Sequence, residues 1–168
     1  MYQVGDLIIY SGEGVCRVEE IGTPKISGVD PQRVYYTLSP VYREGKIFIP
    51  VDTEVFMRPI LTREEALELI RAIPSIQANA CVERNLRTLT EFYQSLLHSH
   101  TCEDLVHLIK SAYEKQQNVL AKGKKPGQVD ERFMKRAEDI LHGELAIALG
   151  IPKEEVPDYI RRSVEENT

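Results

Sequence analysis

Hydrophobic residues alternate or run in short bursts over the first sixty positions, then recur every three or four residues towards the end of the chain. Leu7-Ile8-Ile9-Tyr10 and Val15-Cys16-Arg17-Val18 make an opening pair of strands, followed by runs at 34–39, 46–51 and 55–60. β-Branched and aromatic residues dominate each run, as a pleated and half-buried surface favours. Gly12 and Gly14 are placed to supply positive φ in the first hairpin, and Gly5-Asp6 to do so at its start. Further turns are expected at 27–31 and 44–46, and Pro50 should end or edge its strand because it has no N–H to donate. The five runs predict a small, strongly bent, SH3-like β-barrel over residues 1–60.

The period changes at residue 62. Thr62-Arg63-Glu64-Glu65 is a capping-box pattern, and Ala66, Leu67, Leu69, Ile70 and Ile73 follow at helical spacing until Pro74. A second helix is predicted over about 80–97, with Leu86, Leu89, Phe92, Tyr93, Leu96 and Leu97 as its apolar stripe. Thr101 with Asp104 caps a third helix, which has Leu105, Leu108, Ile109 and Ala112 on its inner face and Gly123 at its exit. Asp130 is the expected cap of a fourth helix carrying Phe133, Ala137, Ile140, Leu141, Glu144, Leu145 and Ala148, closed by Gly150. One or two short acidic helices follow Pro152 and Pro157. The fold class is therefore α+β, with a β-domain over 1–60 and an all-α bundle over 61–168.

Composition narrows this picture. No apolar run is long enough for a membrane span, and the start lacks the charge and hydropathy pattern of a secretory leader, so the expected compartment is the cytoplasm. Cys16, Cys81 and Cys102 are odd in number and widely spaced, which argues against a disulfide framework. The net charge of -5 speaks against an autonomous DNA binder, but the charge is unevenly distributed. Residues 81–136 carry 10 basic and 7 acidic side chains, whereas residues 137–168 carry 3 basic and 8 acidic. A local basic surface is therefore expected, with affinity supplied from elsewhere.

Two stretches carry a family resemblance. Val4-Gly5-Asp6-Leu7-Ile8-Ile9-Tyr10, Gly14-Val15, Val18-Glu19 and Ile21, with Tyr36-Thr37-Leu38 and Ile47-Phe48-Ile49-Pro50-Val51, are similar to the module that CarD proteins share with the transcription-repair coupling factor. Lys135-Arg136-Ala137-Glu138-Asp139-Ile140-Leu141-His142-Gly143-Glu144-Leu145-Ala146 resembles the late helix of CarD proteins. Over about residues 2–149 the chain thus resembles the CarD family of bacterial transcription regulators. The resemblance implies a Tudor-like barrel docked on the β subunit of RNA polymerase. It also implies a helical domain that contacts promoter DNA at the upstream edge of the bubble and modulates open-complex stability. Docking would explain how an acidic chain works at DNA, because a tethered protein acts at high effective concentration. No small-molecule ligand or cofactor is expected, and no enzymatic activity.

The same resemblance points to Lys25, Ile26, Arg43, Lys46, Ile47, Phe48 and Ile49 as polymerase-binding positions, on an exposed strand edge that the partner's strand completes. Phe48 reads either as an interface anchor or as barrel core. On the DNA side, relatives insert a tryptophan into the minor groove, and this chain has none. Asn85 or Leu86 stands near that position; Leu86 is either a wedge or a core residue. Arg84 and Arg87 are candidate phosphate contacts, joined by Lys122, Lys124 and Lys125 in a basic loop and by Arg132, Lys135 and Arg136 beyond it.

Two other readings stay open. The chain could be an adaptor for another protein that never touches DNA. It could also be a metal-dependent enzyme built on His98, His100 and Cys102, with His107 beyond, because zinc accepts His and Cys. No Cys-x-x-Cys pair accompanies those residues, and Thr101 already serves as a helix cap.

Overall fold

In a computed structural model the described residues are 1–78, 85–99 and 101–166. The chain divides into two compact units, Met1–Ile60 and Leu61–Thr168.

The first unit is a five-stranded antiparallel sheet. Its strands are β1 (Leu7–Tyr10), β2 (Gly14–Gly22), β3 (Tyr35–Pro40), β4 (Ile47–Pro50) and β5 (Met57–Pro59), in the order β4-β3-β2-β1-β5. All five expected strands form. Among the described residues no ladder joins β4 to β5, however, so the expected barrel is an open sheet with two short edge strands. Both edges end in proline, which cannot extend a ladder.

Cross-strand pairs Ile8↔Cys16, Val18↔Leu38 and Tyr36↔Ile49 build one core, and all six residues are buried. The polar doublet Glu19-Glu20 should break this alternation. A bulge between Val18 and Glu20 absorbs the extra residue and brings Ile21 opposite Tyr36, against the core. The first hairpin also departs from expectation. Its connection is a tight turn over Ser11–Glu13, and the positive φ falls at Ser11 (40°) and Gly14 (81°), with Gly12 outside that region. Gly14 combines its φ with a ψ of −150°, a region open almost only to glycine.

The second unit contains α1 (Arg63–Ala72), α2 (Leu86–Leu97), α3 (Cys102–Ala121), α4 (Gln128–Leu149) and α5 (Val156–Glu166). The Thr62 capping box forms: its hydroxyl accepts from the Glu65 amide, and the Glu65 carboxylate accepts from the Thr62 amide. Thr101 accepts from the Asp104 amide at the start of α3. Gly123 (φ 73°) and Gly150 (φ 70°) take the left-handed conformation that terminates α3 and α4. Arg63 reaches across to donate to the last carbonyl of α4, on Leu149 (2.8 Å), where a cation complements the helix dipole.

Three helical expectations change. The described part of α2 starts at Leu86 and is capped by Asn85, whose side chain accepts from the Arg87 amide; Cys81 and the rest of 79–84 lie outside the described residues. Leu86 is 65% exposed, so it is no core residue; Leu89 and Tyr93 fill the inner face instead. Asp130 does not cap α4. Gly127 holds that position, and Asp130 lies inside the first turn and is buried.

Candidate functional site

Among the described residues β4 pairs with β3 and with no other strand, so its outer edge is open. Pairing geometry fixes which groups face outwards. The Val51 amide donates to the Val34 carbonyl (3.0 Å), so alternate residues 49 and 47 also bond inwards, and the backbone N–H of Phe48 points away from β3. Side chains alternate in the same way. Ile49 is buried and Ile47 half-buried against the Ile8–Leu38 core, while Phe48, opposite Thr37, points to the other face. Ile49 therefore cannot present its side chain to a partner, and Phe48 is not part of that core.

The remaining expected docking residues do not form one patch. Lys25 and Ile26 are exposed in the β2–β3 connection. That connection is tied at its base by the Thr23 hydroxyl donating to the Arg33 carbonyl (2.6 Å) and by an Arg33–Asp52 ion pair (2.8 Å), at the Pro50 end of β4. Lys46 is exposed at the opposite end of β4, and Arg43 pairs there with Glu13 of the hairpin turn. Sequence reasoning missed the apolar side chains at this second end. Val41, Tyr42, Val55 and Phe56 are all exposed, and hydrogen bonds from Ser11 N–H to the Phe56 carbonyl (3.1 Å) and from Val41 N–H to the Val15 carbonyl (3.0 Å) hold them around the turn. Val55 and Phe56 belong to a run expected as strand, but they precede β5, whose pairing with β1 begins at Met57.

In the helical unit the expected DNA contacts vary in their commitments. Asn85 is occupied as a cap, Leu86 projects at the first turn of α2, and Arg84 lies outside the described residues. Arg87 pairs with Glu91 (3.2 Å) and Lys135 with Glu131 (3.0 Å), each one turn along an exposed helix face. Such pairs contribute only about 0.3–0.5 kcal/mol, so a phosphate can displace them. The Arg132 guanidinium lies 5.2 Å from the Phe133 ring centroid, and Arg136 is half-buried. Lys122, Lys124 and Lys125 are exposed in the connection between α3 and α4. A shallow groove of about 340 Å³ is lined by Gln128, Glu131, Arg132 and Lys135.

The residues of the metal reading are used differently. Cys102 is buried, and its thiol donates to Oε1 of Glu144 (3.2 Å), whose Oε2 accepts from the Leu61 amide (2.9 Å). His98 is exposed as the C-cap of α2, Nδ1 of His107 donates to the Gln77 carbonyl (2.6 Å), and His100 lies outside the described residues. Glu144, placed by its spacing on the apolar stripe, is fully buried and links α4 to the starts of α1 and α3. Burial also pushes the Cys16 thiol up to about 11, which removes its nucleophilic thiolate at neutral pH.

The antiparallel sheet thus leaves the β4 edge available to an added strand, and the helical unit exposes Lys122, Lys124 and Lys125. Residues 2–61 match the family model of the CarD-like/TRCF RID domain. The first unit is thus a CarD-like RNA polymerase-interacting domain, of a protein-interaction family rather than an enzymatic one. No curated protein matches the chain. Among the described residues, no helix is long and apolar enough to cross a membrane.

Proposed function

We propose that the protein is a bacterial, cytoplasmic transcription regulator that docks on the RNA polymerase β subunit and contacts promoter DNA at the upstream bubble edge. The observation that carries this reading is the open β4 edge inside the stretch that matches the RID family. A partner strand added there would bond to the outward Phe48 amide and carbonyl, with the Phe48 side chain as an anchor and Lys46 beside it.

Leu86 and Arg87 at the start of α2, with Lys122, Lys124, Lys125, Arg132, Lys135 and Arg136, supply the DNA side. Leu86 is a candidate wedge because it is large, apolar and 65% exposed beside a cation. Contacts made only after melting shift the closed–open equilibrium by their differential free energy. The test is the lifetime of the open complex with the cognate polymerase, with and without the full chain. The expected result is a severalfold change that the double reversal Leu86→Ala with Arg87→Glu abolishes while polymerase binding persists. No polymerase binding and no change in lifetime would overturn the reading. Binding with an unchanged lifetime would favour the adaptor reading, which the acidic tail and the absence of tryptophan also support.

A further inference from the structure

Three polar side chains from three helices meet in the interior of the helical unit. Tyr93 of α2 is fully buried, and its hydroxyl donates to Oδ1 of Asp130 of α4. Lys115 of α3 places its ammonium 3.1 Å from the same oxygen, with 19% of its side chain exposed. The Tyr93 ring stacks on Phe133 (centroids 5.4 Å apart, planes at 27°), and Phe133 in turn underlies Arg132. Gly127 belongs to this arrangement, because a Cβ there would stand 2.7 Å from Oδ2 of Asp130. With a Cβ at position 127 that carboxylate would have to shift, so glycine leaves it room beside the cap.

We infer that Tyr93, Lys115 and Asp130 form a positioning node that holds the start of α2 in a fixed relation to the basic α3–α4 connection, so that both engage one DNA fork. This rests on the DNA-contact reading above. The argument is one of placement. Tyr93 lies two turns along α2 from Leu86 and Arg87. Asp130 and Lys115 lie on the two helices joined by the loop of Lys122, Lys124 and Lys125. Apolar side chains would hold three packed helices at least as well, since desolvating an ion pair offsets most of its attraction. What a satisfied polar network adds is a single arrangement, because any slip leaves a buried charge or hydroxyl without its partner. None of the three side chains needs to touch DNA, so they are positioning residues.

The decisive variant replaces the node by apolar groups of similar size: Tyr93→Phe, Lys115→Met and Asp130→Leu together, which leaves net charge unchanged. The full chain is assayed with the cognate polymerase on a promoter fragment, beside its thermal midpoint and polymerase affinity. The expected result is a midpoint equal to or above wild type, unchanged polymerase affinity, and a change in open-complex lifetime reduced about fivefold or more. A merely structural role would leave lifetime and stability moving together. A triple variant with the full wild-type effect on lifetime overturns the inference. Should the triple variant not fold, Tyr93→Phe alone decides in the same way, since it keeps the ring stacking and removes one hydroxyl. A wild-type chain without any effect on lifetime removes the DNA-contact reading itself, a failure read before any variant is made.

Discussion

At the scale of single residues, the informative positions are polar groups taken out of water. Glu144 sits on the apolar stripe of α4 and looks misplaced until its partners are seen, the Leu61 amide and the Cys102 thiol. Truncation by Glu144→Ala leaves the half-buried Leu61 N–H without that acceptor and should cost ~1–3 kcal/mol, read as a lower urea midpoint for the full chain. His142, half-buried on α4, titrates below its ordinary value near 6.5 because burial disfavours the imidazolium; Lys153 adds repulsion, and Asp139 opposes both. The unfolded chain then takes up the proton first, so stability is full above about 6.5 and is lost as pH falls through the folded-state value. His142→Gln should flatten that acid-side loss in thermal melts between pH 7 and pH 5, and an unchanged slope would contradict the assignment.

At the scale of elements, the first and last turns are set locally and the edges are not. Thr62, Thr101, Gly123 and Gly150 each act on backbone groups within a few residues, which is why their roles are legible in the sequence. The β4 edge is decided by which strands pair with it. Because the Phe48 N–H points away from β3, Phe48→Pro should leave the β3–β4 ladder intact while removing both an outward donor and an anchor. Polymerase affinity should fall at least about tenfold, with far-ultraviolet circular dichroism unchanged. Unaltered affinity in a folded variant would move the docking surface elsewhere, with the exposed Tyr42 and Phe56 end of the sheet as the next place to look.

At the scale of the whole molecule, an acidic protein is proposed to act on an acidic polymer. Tethering makes this workable, because a docked helical unit meets DNA at high effective concentration and needs few phosphate contacts. Each such contact still releases counterions. The effect on open-complex lifetime should therefore decline as salt rises, and Lys124→Ala with Lys125→Ala should lessen that dependence while polymerase binding is kept. A salt response identical to wild type would remove the loop from the interface.

The sequence by itself determined the change from strands to helices near residue 62, the five strands, the capping box and the glycine exits. These depend on side-chain period and on hydrogen bonds between near neighbours. It also placed a CarD-like pattern over the stretch that the RID family model matches. Only the tertiary structure decided that the sheet stays open, that Leu86 is exposed, that Ile49 is buried, and that Cys102 faces Glu144 rather than His98. It likewise moved Asp130 from cap to buried node. The reason is physical: periodicity says that a residue lies on a face, whereas packing against distant segments says what that face meets. A carboxylate on an apolar stripe is ambiguous until the donors that satisfy it, eighty-three residues away in the case of Leu61 and Glu144, come into place.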